Sequence, residues 1–321
     1  MLEGKLSIVL PAYNEGKMIY KARARLAELM GREKIEYEII FVDDGSKDDT
    51  WNAIQDTSET YPGTLGVHLS RNFGKEAAIF AGLSLASGDV AAVMDCDLQH
   101  PPETLVSMYN LWKQGYEIIE GVKADRGKEG LLYKGSARIF NRIMSKATGT
   151  DMKNSSDFKM MDKKVMDTLL RMPERNTFFR ALSSWVGYRS TSVEFEVQER
   201  EEGKSKWSKM SLVKYAFTNI VLFTTVPLQF VTFSGIIVLF IGIILGIQTI
   251  VKYLSGTAVE GFTTVILLIL FIGSIIMISL GLIGYYLAKM YEEIKHRPRF
   301  IISKISGITT FNSKIELSDK I

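Results

Sequence analysis

Short apolar runs and stretches with apolar positions at helical spacing take turns along the first half of the chain. "KLSIVLPAYNE" (5–15) reads as a strand that stops at Pro11, and residues 16–31 carry a helical pattern. "YEIIFVDDGS" (37–46) predicts a second strand ending in two acids and a glycine turn, and "GVHLS" (66–70) a third. "GKEAAIFAGLSLA" (74–86) predicts a helix and "DVAAVMD" (89–95) a fourth strand. Apolar strands alternating with helices imply a mainly parallel sheet covered by helices. After about residue 150 the pattern changes. "SSDFKMMDKKVMDTLL" (155–170) predicts a short strand and a helix, while "YRSTSVEFEVQERE" (188–201) alternates like an antiparallel strand.

Two later stretches have a different character. No charged residue occurs from Val226 to Val251, nor from Gly261 to Ala288. Each run exceeds the ~20 residues that cross a bilayer core, and both lie too far along the chain to act as a signal peptide. They predict two membrane-spanning helices, at about 226–253 and 261–289, joined by "KYLSGTAVE" (252–260). Before them, 208–224 has apolar residues at helical spacing with lysines opposite, as in a helix lying in the membrane interface. Lys204, Lys206, Lys209 and Lys214 precede the first span, and "KHRPR" (295–299) follows the second. By the positive-inside rule both termini face the cytoplasm, including a soluble domain over 1–207 and a polar tail over 291–321. The 321 residues carry a formal net charge of +3, and the single cysteine fits a reducing compartment.

In sheets of this kind ligands bind beyond the carboxyl ends of the strands. Polar residues gather there: Ala12 to Glu15, then Asp43 and Asp44, then Asp95 and Asp97 in "MDCDLQHPPE" (94–103). Two carboxylates one residue apart are costly to bury unless something positive sits with them. An Asp-x-Asp followed by Gln99 offers only oxygen ligands, which suits Mg²⁺ or Mn²⁺ shared with a phosphate. The expected positive charge is such an ion. Cys96 is expected to point into packing, and His100 to cap or to hydrogen-bond rather than to ligate.

"SIVLPAYNE", "VDDGSKDDT", "RNFGKEAAIFAG" and "MDCDLQHPPE", in this order, resemble the family-2 inverting glycosyltransferases of the GT-A fold. The resemblance is closest to the polyprenyl-phosphate branch and extends through "EREEGKSKW" (199–207) to the two apolar runs. It implies a Rossmann-like GT-A catalytic domain, mainly parallel in its sheet, followed by interfacial helices and a transmembrane hairpin. It implies a nucleotide-sugar site of Pro11, Tyr13, Asn14, Glu15, Asp43, Asp44, Asn72, Lys75 and Asp95. Asp95, Asp97 and Gln99 would hold Mg²⁺ or Mn²⁺ and the diphosphate. The expected reaction is inverting transfer of a hexose, with UDP-glucose favoured, to polyprenyl (undecaprenyl) phosphate for use in the cell envelope. UDP-N-acetylglucosamine and GDP-mannose are the alternative donors.

A phosphate acceptor is already anionic at neutral pH, with a second pKa near ~6, and needs cations rather than a base. Arg126, Arg138, Arg200 and Lys206 are the expected cations; Arg200 and Lys206 match the family's R-x-x-G-x-S-K segment. Asp157 in "NSSDF" matches a family acid, with two roles open: orienting an Arg or assisting the acceptor. Together with Asp97 these form the expected catalytic set. The expected partners are the nucleotide sugar, the lipid phosphate and the bilayer, with no nucleic acid. Gly-x-x-x-Gly-like spacing in the spans is compatible with a homo-oligomer. The rivals are a processive polysaccharide synthase, whose Gln-x-x-Arg-Trp motif the sequence lacks, and a non-catalytic membrane scaffold.

Overall fold

A computed structural model describes residues 3–124, 156–174, 178–196, 224–256 and 261–307, with single positions at 142, 145, 218, 220 and 221. The chain divides into two units. One comprises Met1–Trp207 and Arg297–Ile321, the other Ser208–His296.

The first unit is built on an eight-stranded mixed sheet in the order β7-β5-β6-β4-β1-β2-β3-β8. The strands are β1 (Leu6–Ala12), β2 (Tyr37–Asp43), β3 (Thr64–Leu69), β4 (Val90–Val93), β5 (Ile118–Lys123), β6 (Lys159–Asp162), β7 (Ser190–Phe195) and β8 (Ile302–Ser306). Parallel pairing joins β4 to β1, β1 to β2, β2 to β3, and β5 to β7. Pairing is antiparallel at β4–β6, β5–β6 and β3–β8. The helices are α1 (Gly16–Glu33), α2 (Thr50–Thr60), α3 (Lys75–Leu85), α4 (Glu103–Lys113), α5 (Lys163–Arg171) and α6 (Phe179–Trp185).

Central strands covered on both faces read as continuous apolar runs, and Leu6, Ile8, Val9 and Leu10 of β1 are all fully buried. Helix α1 instead turns one stripe inward, with Met18, Ile19, Ala22, Leu26, Leu29 and Met30 buried at helical spacing. Helix α3 is buried nearly all round, from Ala77 to Leu83. Gly82 lets α3 approach β1 closely, since a Cβ there would lie 2.3 Å from Val9 Cγ1.

Strand β1 continues one residue beyond Pro11, where the sequence pattern placed its end. Val9 O accepts from Met94 N on the β4 side, while Ala12 O accepts from Asp44 N on the β2 side. By the two-residue period the missing N–H of Pro11 faces the β4 side, and β4 has already ended at Val93 opposite Val9. No ladder bond is lost there. Strand β7 pairs parallel to β5 rather than antiparallel. Its alternation records one exposed face at the sheet edge and carries no information about direction. The segment after the apolar helices also differs from a free tail, because Ile302–Ser306 returns as edge strand β8 beside β3. Arg299 fixes this return. Its guanidinium donates to the carbonyls of Met172 and Glu174 and lies 4.5 Å from the Phe80 ring centroid.

The second unit contains α7 (Val226–Leu254) and α8 (Phe262–Ile294). Both are long and apolar enough to cross a membrane, α8 over Phe271–Ile294. Large apolar side chains such as Phe230, Leu239 and Ile278 are exposed on them. Apart from residues 218, 220, 221 and 224, the expected interfacial helix over 208–224 lies outside the described residues.

Candidate active site

The carboxyl ends of β1, β2 and β4 lie side by side, so the loops that follow them form one polar edge of the sheet. Hydrogen bonds tie the first two loops together. Asn14 N donates to Ser46 Oγ, Asn14 Oδ1 accepts from Lys47 N, and Glu15 N donates to Thr50 Oγ1. Asn14 adopts a positive φ of 54°, which its short polar side chain tolerates. Gly45, at φ 65°, passes so close to the next loop that a Cβ would lie 2.4 Å from the Arg71 carbonyl carbon.

The two acids after β2 turn into the fold. Asp43 is fully buried, with Oδ2 2.6 Å from His68 Nδ1 and Oδ1 accepting from Ser46 N. Asp44 accepts from the N–H groups of Phe73 and Gly74, at 2.7 and 2.9 Å, and so anchors the turn that starts α3. Burial pushes the Asp44 carboxyl up to about 6, against the pull of those two N–H groups. Asn72 is exposed in the same turn.

After β4 the chain alternates. Asp95, Asp97 and Gln99 are half-buried, while Met94, Cys96, Leu98 and His100 are buried between them. The three oxygen-bearing side chains are thus the more accessible ones of this turn. The turn is closed by Gln99 N donating to Asp97 Oδ1 at 3.1 Å, and Leu98 sits at φ 54°. A left-handed leucine stores strain of order 1–3 kcal/mol, as backbones at functional sites often do. Burial, reinforced by Glu15, Asp97 and Asp95, pushes the Cys96 thiol far above its usual range, so it is inert at neutral pH. The His100 ring stacks on Phe158 with centroids 4.7 Å apart and meets Phe195 edge-on, and among the described residues its buried Nδ1 has no hydrogen-bond partner.

Asp95 has a positive partner within the chain. The Lys75 ammonium, at the start of α3, lies 2.6 Å from Asp95 Oδ1 and 3.1 Å from Asp157 Oδ2. Asp157, just before β6, also receives a two-pronged contact from Arg180 on α6, with Nε 3.1 Å from Oδ1 and Nη2 3.0 Å from Oδ2. Lys75 thus bridges two acids, and Asp157 bridges two cations. Burial would raise the Asp157 carboxyl, but Lys75 and Arg180 overcome this and hold it far below the ordinary carboxylate range. For Lys75 burial works against the charge, and Asp95 and Asp157 more than offset it, raising its pKa. Beside them Glu76 accepts from Phe179 N at 2.8 Å, and burial followed by the Asp157 charge drives its carboxyl upward.

Among the described residues no three His, Cys, Asp or Glu side chains form a closed cage for a metal. The donors present are two carboxylates and one amide oxygen within one turn, all half-buried. That set fits a hard divalent ion completing its shell with substrate phosphate and water. Of the expected site residues, the structure brings Lys75, Asp95 and Asp157 into direct contact. It places Asn14 and Glu15 against the loop after β2, and it leaves Pro11 and Tyr13 half-buried near the β1 end. Arg126, Arg138, Arg200 and Lys206 lie outside the described residues. Arg180, Glu76, Lys159 and Glu120 were not among the expected residues. For Lys159 the one local signal is a lysine set in the apolar strand β6.

The glycosyl transferase family 2 model matches residues 7–170. An uncharacterized glycosyltransferase of Synechocystis is 37% identical over 306 residues, covering 95% of this chain and 96% of the relative. A prophage-derived bactoprenol glucosyl transferase of Shigella flexneri is 35% identical over 302 residues, covering 94% of this chain and 98% of the relative. Among solved structures, mannosyl-3-phosphoglycerate synthase from Rubrobacter xylanophilus aligns with a TM-score of 0.48 and 17% identity, covering 68% of this chain and 72% of that one. With the family model spanning the whole strand-end site and relatives matching nearly the full length, this chain belongs to glycosyl transferase family 2 and is a glycosyltransferase with a GT-A-like fold.

Proposed function

We propose that the chain transfers glucose from UDP-glucose to a polyprenyl phosphate, inverting the anomeric centre, at the cytoplasmic face of a membrane. The single observation that carries this reading is the 35% identity, over 94% of the chain, to a relative named bactoprenol glucosyl transferase. The two apolar helices with basic flanks support a lipid acceptor met at the cytoplasmic side.

The residues of the strand-end site suit the chemistry. Asp95, Asp97 and Gln99 would hold Mg²⁺ or Mn²⁺ against the donor diphosphate. When bound, such an ion supplies Lewis-acid stabilisation of the negative charge that grows on the leaving diphosphate. Lys75, fixed between Asp95 and Asp157, adds a second positive charge at the same edge. The acceptor phosphate needs no general base. Asp157 stays ionised between two cations and keeps no affinity for a proton at neutral pH, so its role is to hold Lys75 and Arg180. Arg126, Arg138, Arg200 and Lys206 are proposed to grip the acceptor phosphate.

The test is transfer by purified full-length protein. UDP-glucose, UDP-N-acetylglucosamine and GDP-mannose are each supplied with and without undecaprenyl phosphate, and released nucleotide and lipid product are measured. The expected product carries one phosphate and a β-linked glucose, and its formation stops in EDTA. Absence of transfer to undecaprenyl phosphate from all three donors overturns the proposal, as does a retained anomer.

A further inference from the structure

A second set of buried charges lies next to the Asp157 cluster, and the transfer chemistry does not call on it. Lys159 on β6 is fully buried, and its ammonium is paired with the Glu120 carboxylate on the neighbouring strand β5. Glu120 and Lys159 are register partners, so the pair is set by the sheet itself. The same ammonium donates to Ser183 Oγ at 2.8 Å and to the backbone carbonyl of Arg180 at 3.3 Å, both on α6. Ser184 Oγ, also on α6, lies 3.3 Å from Lys159 Nζ and donates to Glu120.

Arg180 is therefore held at two points from one short segment, Asp157 just before β6 and Lys159 at its start. Asp157 takes its guanidinium, and Lys159, two residues later, takes its backbone carbonyl. One residue earlier, the Phe179 N–H is taken by Glu76 of α3. Asp157, Lys159 and Glu76 thus hold the Arg180 guanidinium, the Arg180 carbonyl and the N–H of the preceding residue. A buried ion pair is weak evidence for stability, because well-packed apolar residues often serve a fold equally well. Its geometry here is directional. All three hydrogens of the ammonium have acceptors at hand, so its direction is set, and with it the position of the Arg180 backbone.

We propose that Lys159, paired with Glu120, is a positioning residue that acts through Arg180. It places the guanidinium fork on Asp157 and thereby keeps Asp157 against Lys75 at the donor site. The inference deepens the proposed transfer reaction and rests on it.

Full-length protein is assayed as wild type, Arg180→Ala, the neutral pair Lys159→Met/Glu120→Gln, and the triple variant combining these changes. Melting curves accompany kcat and donor KM for each. The neutral pair removes both buried charges, so neither is left stranded. Its kcat is expected to fall about tenfold to a hundredfold with KM for the nucleotide sugar within about twofold, the signature of a misplaced group rather than a lost binding contact. Because the route runs through Arg180, the triple variant should be no more than about twofold worse than Arg180→Ala alone. Multiplying losses, or wild-type kcat in the neutral pair, overturn the inference. Should the neutral pair fail to fold, Ser183→Ala deletes one partner of the ammonium. It is expected to lower kcat severalfold while its melting curve shows the chain still folded at the assay temperature, and not to worsen Arg180→Ala. Unchanged kcat in Ser183→Ala, or a further loss on top of Arg180→Ala, counts against the inference. A wild-type chain that fails to transfer to undecaprenyl phosphate counts instead against the transfer reading, and the coupling is then read on the release of UDP into water.

Discussion

Replacing Asp157 with Asn tests the charge cluster most directly. The carboxylate receives three charged contacts, one from Lys75 at 3.1 Å and two from Arg180 at 3.1 and 3.0 Å. Asparagine can accept at one oxygen only; Arg180 loses this counter-ion, while Lys75 keeps Asp95 at 2.6 Å. A hydrogen bond to a charged group contributes about 1.5–3 kcal/mol. The Lys75 and Arg180 side chains are 39% and 35% exposed, so solvent screens part of that gain. The net loss works out at roughly 2–4 kcal/mol once the screening of exposed ion pairs is applied. For a unit of this size that lowers the melting temperature by about 5–15 °C. Differential scanning fluorimetry of the detergent-solubilised chain reads this directly. The pH dependence supplies an internal control. A carboxyl held below its ordinary value of 3.8 contributes stability that is fully present above that pH and is lost as the pH falls through the folded-state value. Below about 4, where Asp157 itself begins to take up a proton, the gap between wild type and variant should therefore narrow. Asp157→Glu restores the charge with a longer arm and should fall between the two. A variant that melts within about 1 °C of wild type at pH 7 would refute the reasoning, since no part of the expected loss would then reside in the cluster.

Other expectations follow from single positions. Asp44 carries the opposite sign, because its folded-state carboxyl titrates at about 6 against an ordinary 3.8. Over that window the folded chain holds a proton the unfolded chain has released, so stability should fall by up to about 3 kcal/mol as pH rises and level off above 6. Asp44→Asn should flatten that part of the melting-temperature profile, and an unchanged slope contradicts the assignment. Gly82→Ala would drive a methyl into Val9 and should cost about 1–3 kcal/mol in a denaturant titration. A variant as stable as wild type would mean α3 and β1 can part without strain. Asp97→Asn should abolish metal-dependent UDP binding by calorimetry while leaving the melting temperature nearly unchanged; full binding would remove Asp97 from the ligand set. A chain ending at His296 loses both β8 and Arg299, and its first unit should melt well below that of the full chain by the same fluorimetry.

The sequence by itself determined whatever depends on local pattern. Continuous apolar runs made β1, β2 and β4 buried strands, and their polar ends put Asp43, Asp44, Asp95 and Asp97 on one edge before any coordinates were needed. A cysteine between two acids was expected to point into packing, and Cys96 is buried. Long uncharged runs predicted two helices of membrane-crossing length.

Only the tertiary structure decided what depends on partners far apart in the chain. Strand direction leaves no trace in an alternating pattern, so β7 could be read as antiparallel and is parallel. The strand β8 is short and half-polar, and nothing local shows that it closes an edge of the sheet by pairing with β3, whose Gly66 is the register partner of Ser306. The positive charge that Asp95 required was expected from a metal, yet Lys75 supplies one from the chain, because α3 starts at a turn anchored by Asp44. Arg180, in "FFRALSSW" (178–185), carries no local mark of a functional residue. It became part of the site when β6 brought Asp157 to its guanidinium and Lys159 to its backbone. A charge is costly to bury alone and stable when its partners are fixed, and fixing partners across a fold is what tertiary structure does.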